Sequence, residues 1–140
     1  MSLEAGTTLG PSPWLEVDQE RIELFGRASD DRGWVHMDPE RAADGPYGAA
    51  IAHGFLTLQL SLRLLEDVLG GIDGAVVYGV NKVRFPAPVP AGSRVRGRFR
   101  ILAAEPNRAG TRATIAATIE REGSERPVCV AELVLLFLDR

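Results

Sequence analysis

The chain has 140 residues, 45% hydrophobic and 25% charged, with a formal net charge of −3. That balance suits one globular domain over residues 1–140 with a true core, and it gives no electrostatic case for nucleic acid or an anionic membrane as partner. The lone Cys129 excludes an intramolecular disulfide, no apolar run approaches the roughly 20 residues of a membrane span, and no signal peptide is recognisable, so the expected setting is the cytoplasm.

Residues 1–13 are rich in Gly, Thr and Pro and read as an entry loop or a short edge strand. Asp18 then has the character of an N-cap, with Ile22, Phe25 and Ala28 following at helical spacing. That helix should end near Ser29 and deliver Asp30 and Asp31 into a turn. Asp38-Pro39 repeats the start signal, a cap followed by proline at the first helical position, and Asp44-Gly45-Pro46 stops the helix soon after. Between Trp34 and Gly48 the chain is an irregular cover containing one or two helical turns.

The central helix is predicted over 52–69, closed by Gly70-Gly71. Gln59, Arg63, Glu66 and Asp67 form a narrow polar stripe, so most of the remaining circumference is expected to be buried. Thr57 and Ser61 interrupt its apolar face, four residues apart and in line with Gly54. Their hydroxyls either bond back to the preceding helical turn or face a ligand.

From Ala75 the hydrophobic period changes to two. Segments 75–86, 93–104, 111–121 and 127–138 read as strands separated by Pro- and Gly-containing turns, which implies an antiparallel meander. In 93–104, Val95, Gly97, Phe99 and Ile101 alternate with Arg94, Arg96, Arg98 and Arg100, giving one dry and one wet face. Val134 to Phe137 are apolar on both faces, which suits a central strand or a subunit contact. One buried helix followed by such strands gives an α+β domain, a curved antiparallel sheet wrapped around a long central helix. That is the hotdog arrangement. Its exposed sheet edges would be hidden by pairing across a two-fold axis, so a homodimer is expected.

The stretch with most chemistry is ASDDRGWVHMDPERAADGPYGAAIAHGF, residues 28–55. Asp31 lies five residues before His36, and a carboxylate beside an imidazole can hold a water between them, one group taking its proton while the other donates. The plain alternative is a solvated loop aspartate and a histidine satisfied by backbone. Gly54 opens the central helix, where its N–H has no intrahelical acceptor and can receive an oxyanion; the alternative is a glycine needed for close packing. His53 is assigned to structure, holding that turn by hydrogen bonds. Asn81, Lys82 and Arg84 are candidates for the entrance to a groove, and the arginine comb reads as a solvated strand face more readily than as a phosphate site. Two histidines and one cysteine without ligand spacing argue against zinc, and no nucleophile elbow, P-loop or dinucleotide fingerprint occurs.

FGRASDDRGWVHMDP (25–39), then GPYGAAIAHGFLTL and YGVNKVRFPAPVPAGSRVRG, resemble the MaoC-like dehydratases, the single-hotdog (R)-specific enoyl-CoA hydratases. The likeness begins near Asp18 and covers most of the chain. It implies reversible addition of water to a trans-2-enoyl-CoA to give a (3R)-3-hydroxyacyl-CoA, with the acyl-CoA as substrate and no separate cofactor or metal. By the resemblance Asp31 and His36 match the catalytic pair, Gly54 the oxyanion-hole glycine, and Ser61 lies close to a serine of the active-site helix. Two positions depart from the family pattern: Asp30 stands where glycine is usual, and Gly33 where Asn or Gln is usual. These departures motivate a rival reading, a hotdog subunit that binds acyl thioesters without turnover. A hotdog thioesterase is a second rival, and the intact Asp31/His36 pair favours the hydratase over both.

Overall fold

The computed structural model describes residues 3–72 and 74–139, so the first two residues of the entry segment lie outside it. The amino-terminal part supplies two short strands, β1 (Thr8–Leu9) and β2 (Leu15–Val17), then helix α1 (Gln19–Ser29). As the cap signals predict, the Asp18 carboxylate accepts from the Arg21 N–H, and the Asp38 carboxylate does the same for Arg41 at the start of α3 (Pro39–Ala43). A single-turn helix, α2 (Trp34–Met37), lies between them. The central helix α4 (Gly54–Leu69) starts two residues later than the apolar pattern suggests, because His53 is still extended (φ −60°, ψ 140°). Gly70, at φ 72°, ends it.

The strands β3 (Ala75–Arg84), β4 (Ser93–Asn107), β5 (Gly110–Arg121) and β6 (Cys129–Leu138) fall where the period-two segments place them. Their order corrects the simple meander. The sheet runs β1-β4-β5-β6-β3, with β2 also on β4, so β3 pairs antiparallel with β6 and not with its sequence neighbour β4. The physical reason lies in Pro86, Pro88 and Pro90, which lack the N–H donors a ladder requires. That segment instead passes beside the α4 entry, where Ala52 N–H donates to Val89 O (2.8 Å) and Ala91 N–H to Ala50 O (2.8 Å). The β4 edge that a hairpin would have used is occupied by β1 and β2.

α4 rests in the concavity of this sheet, the hotdog arrangement. Leu56, Leu60, Leu64 and Leu65 pack with Val95, Phe99, Ile101, Ile115, Ile119, Leu133 and Leu135 in one core cluster. The wet face of β4 carries its arginines as predicted, in a solvated ladder. Arg96 and Arg98 both reach Glu120 (3.0 Å each), Arg94 pairs with Glu122, and Arg96 lies 4.4 Å over the Trp14 ring. Partial burial pushes the Glu120 carboxyl up, but the two guanidinium groups outweigh it and hold the group below the usual carboxylate range. β6 is central, between β5 and β3.

The expectation that most of α4 is buried does not hold within one copy of the chain. Leu58 and Leu62 are half-buried and Phe55 is 72% exposed. Together with Phe25, Val77 and Val80 they frame an open apolar groove of about 580 Å³. No helix among the described residues is long and apolar enough to cross a membrane.

The covered side of α4 carries the stability argument. Leu64 is fully buried in the core cluster, so Leu64→Ala should lower unfolding free energy by about 2–5 kcal/mol. Denaturant titration measures this, and a change within ~0.5 kcal/mol, as at an unconstrained surface site, would contradict the packing described.

Candidate active site

α1 ends by turning the chain sharply. Asp30 is the C-cap residue and adopts the left-handed conformation (φ 62°, ψ 16°), which accounts physically for a glycine preference at this position. Ser29 Oγ donates to Phe25 O (2.7 Å) and accepts from the Asp31 N–H (3.3 Å), so Asp31 leaves the turn in a defined direction. The Asp30 carboxylate pairs with Arg32 (3.2 Å), and both groups are exposed.

His36 lies on α2, one of the helical turns expected in the cover between Trp34 and Gly48. Gln19 Nε2 donates to the His36 carbonyl (2.9 Å), and the imidazole Nδ1 is 2.7 Å from Ile51 O. A carbonyl oxygen can only accept, so Nδ1 carries the proton and Nε2 is the ring atom left to exchange one. Ile51 N–H bonds back to Val35 O (3.0 Å), so the segment entering α4 and the α2 turn hold each other in place.

These elements converge. One nitrogen from each of His36 and His53 and a carboxylate oxygen of Asp31 lie within 4.8 Å of one another. Two hydrogen bonds of about 2.8 Å each span such a gap through one water. The arrangement suits proton transfer better than a metal. The imidazoles are stacked, 4.0 Å apart and 23° from parallel, so their in-plane lone pairs do not converge on one ion. Each ring also has one nitrogen on a backbone carbonyl, His53 Nε2 lying 2.8 Å from Asp31 O.

His36 and Gly54 open onto one cavity of about 320 Å³, lined also by Tyr47, Ile51, Thr57 and Phe85. Gly54 is the first residue of α4, so its N–H has no intrahelical acceptor. Both readings of this glycine have a structural basis, since a Cβ here would stand 3.0 Å from the Phe85 ring. Position 33 borders the same chemistry: a Cβ on Gly33 would lie 3.7 Å from His36 Cδ2 and 3.9 Å from Asp31 Oδ1. Cys129 is no rival nucleophile, because burial pushes its thiol up to about 11.

The other candidates separate. Thr57 lines the cavity while bonding back to His53 O (3.5 Å). Ser61 is fully buried and bonds back to Leu58 O, so the intrahelical reading applies to it. Asn81, Lys82 and Arg84 are exposed on the edge strand β3 and line neither of the two cavities described, with Lys82 3.6 Å from Glu132. Tyr47, Ile51 and Phe85 were not singled out by sequence reasoning. The prolines beside Phe85 are the one available signal, because they mark where the chain crosses the cavity mouth.

The family described as MaoC like domain matches residues 2–124. The chain is 47% identical over 141 residues to 3-hydroxyacyl-thioester dehydratase Z of Mycobacterium tuberculosis, covering 99% of this chain and 93% of that protein. Among solved structures it superposes on R-hydratase PhaJ1 from Pseudomonas aeruginosa with a TM-score of 0.80 at 25% identity, covering 99% of this chain and 84% of that one. The (R)-hydratase from A. caviae involved in PHA biosynthesis gives 0.79 at 26% identity, with 96% of each chain covered.

Proposed function

Because the chain belongs to the MaoC-like dehydratase family, we propose that it is a hydro-lyase that reversibly adds water to a trans-2-enoyl thioester, giving the (3R)-3-hydroxyacyl thioester. One observation carries the reading to particular residues: the Asp31 carboxylate and the His36 imidazole stand within 4.8 Å, and His36 shares a cavity with the α4 N-terminus.

The substrate thioester carbonyl accepts from the Gly54 N–H, which draws electron density out of the conjugated alkene and makes Cβ electrophilic. A water held between Asp31 and His36 adds its oxygen at Cβ. The unprotonated member of the pair removes the water's proton while the other, entering the step protonated, delivers its proton to Cα; a proton passed back between them resets the pair, and the sum is H and OH across the double bond. Enolate-like charge on the carbonyl oxygen is what the Gly54 donor stabilises, and a donor of this kind is worth about 2.7–4 kcal/mol. The CoA thioester is the substrate, and no step in this scheme calls for a metal or a separate cofactor. Glycine at position 33 leaves space beside the pair where a side chain would otherwise stand.

The quaternary part of the proposal is a homodimer. Val77 on the edge strand β3 is 49% exposed and lines the groove on the uncovered side of α4. A second copy pairing β3 to β3 across a two-fold would cover the apolar groove and Phe55, and so bring the subunit boundary next to Gly54.

Enoyl-CoA consumption followed by absorbance, with thiol release followed in parallel, should show hydration to the 3R alcohol and no thiol. Asp31→Asn and His36→Ala should each lower kcat about 10²-fold or more. Free thiol or a 3S product would move the protein to another reaction class, and near wild-type turnover in either variant would remove that residue from the chemistry.

Gly54 permits a sharper separation, because His53 already has the extended backbone that a following proline requires. Gly54→Pro removes the N–H at a helix position where proline is tolerated, whereas Gly54→Ala keeps the N–H and adds only a methyl against Phe85. The proline variant should turn over about 10²–10³-fold more slowly than the alanine variant. Equal rates would mean that the N–H does not hold the carbonyl.

In sedimentation at micromolar concentration the protein should run as a dimer, and Val77→Asp should shift it toward monomer. A wild-type monomer with full activity would contradict the interface.

A further inference from the structure

His53 is buried, with 2% of its surface exposed, yet its side chain caps nothing on its own helix. The ring instead crosses to a segment 22 residues away, where Nε2 lies 2.8 Å from the Asp31 carbonyl. Since the carbonyl can only accept, Nε2 must carry the proton. One face of the ring lies 4.0 Å from the His36 ring and 23° from parallel, and Phe25 stacks on it at 4.9 Å and 25°. Its Nδ1 is buried and finds no partner among the described residues. A buried polar atom left unpaired costs free energy, so a histidine here needs a reason beyond filling space.

Three parts of the site meet at this one residue. Its side chain holds the Asp31 main chain, its ring supports the His36 ring, and its backbone leads directly into Gly54. We propose that His53 is a positioning residue that fixes Asp31 relative to His36, through an Nε2–H hydrogen bond to the Asp31 carbonyl and a stacked contact with the His36 imidazole. In this role it acts through Asp31 and His36. Its effect on the reaction arises because a reacting group displaced by about an ångström can slow a step ~10²-fold. The inference rests on Asp31 and His36 being the reacting pair, and that reading is tested separately by their own variants.

Two substitutions divide the roles of the ring. His53→Phe keeps an aromatic ring between Phe25 and His36 but has no donor for the Asp31 carbonyl. His53→Gln places an amide N–H where Nε2–H stands and gives up the stack. The phenylalanine variant should lose about 10²-fold in kcat with KM within about twofold of wild type, because orientation is lost while the binding cavity remains. The glutamine variant should recover at least tenfold of that loss. Undiminished kcat in His53→Phe, a loss expressed in KM, or a glutamine variant no better than phenylalanine would each overturn the proposal. A readout independent of turnover is available in the wild type, where ¹⁵N correlation spectra of the His53 ring should show the proton on Nε2, in slow exchange with solvent. A proton found on Nδ1 alone would refute the hydrogen bond even if both variants failed to fold.

Discussion

Two imidazole-to-carbonyl hydrogen bonds hold the site to the scaffold, His36 Nδ1 to Ile51 O and His53 Nε2 to Asp31 O. They run in opposite directions between the same two segments. The cover that leaves α1 reaches the α4 entry through His36, and the α4 entry reaches the cover through His53. Neither segment has long regular structure of its own: α2 is one turn, and Ile51 makes only an isolated bridge to Pro90. The two imidazole bonds act with the Gln19 bond to the His36 carbonyl and the Ile51–Val35 and Ala52–Val89 backbone bonds to tie the 30–53 stretch to the scaffold. With them, a carboxylate and an imidazole from different turns stand beside the start of a helix that is itself anchored by four buried leucines.

The same geometry explains why the site can be both exposed and ordered. Asp31 is exposed, as the proposed role of meeting substrate and water requires. The groups that orient it are the buried His53 ring, the Ser29 hydroxyl, itself held on the Phe25 carbonyl, and the left-handed turn at Asp30. Gly54 leaves room where a Cβ would press on the Phe85 ring, whereas a Cβ at position 33 would only touch His36 and Asp31. The open apolar side of α4 belongs to a different requirement. It lies beyond the cavity that His36 and Gly54 share, with Phe55 on its rim and Gly54 just behind, so covering it would also close one wall of the candidate site.

Local signals in the sequence were enough for much of this. The caps at Asp18 and Asp38, the terminator at Gly70 and the alternation in β4 depend on neighbours within a few residues, and the elements follow them closely. The pairing of β3 was not legible, because a ladder partner is chosen over a long sequence separation and the prolines after Phe85 mark a crossing without saying where it leads. Apolar residues on α4 announce burial but not whether the cover comes from the same copy of the chain. Asp31, His36 and Gly54 could be named through spacing and family resemblance. His53 could be assigned to holding its turn by hydrogen bonds, but its partner could not be named, since a main-chain carbonyl carries no residue-specific signal. Asn81, Lys82 and Arg84 lie exposed on the edge strand β3, outside the two cavities described, a placement their polarity alone did not reveal.

The central claim is that the water between Asp31 and His36 attacks Cβ and leaves the thioester carbon untouched. Hydration of a trans-2-enoyl-CoA in H₂¹⁸O, quenched early and read by mass spectrometry of the product fragments, tests it at the atom concerned. The account predicts one ¹⁸O in the C3 hydroxyl of an intact thioester. Label appearing in a free carboxylate would show attack at the carbonyl, and the assignment of this site to a hydro-lyase would be wrong.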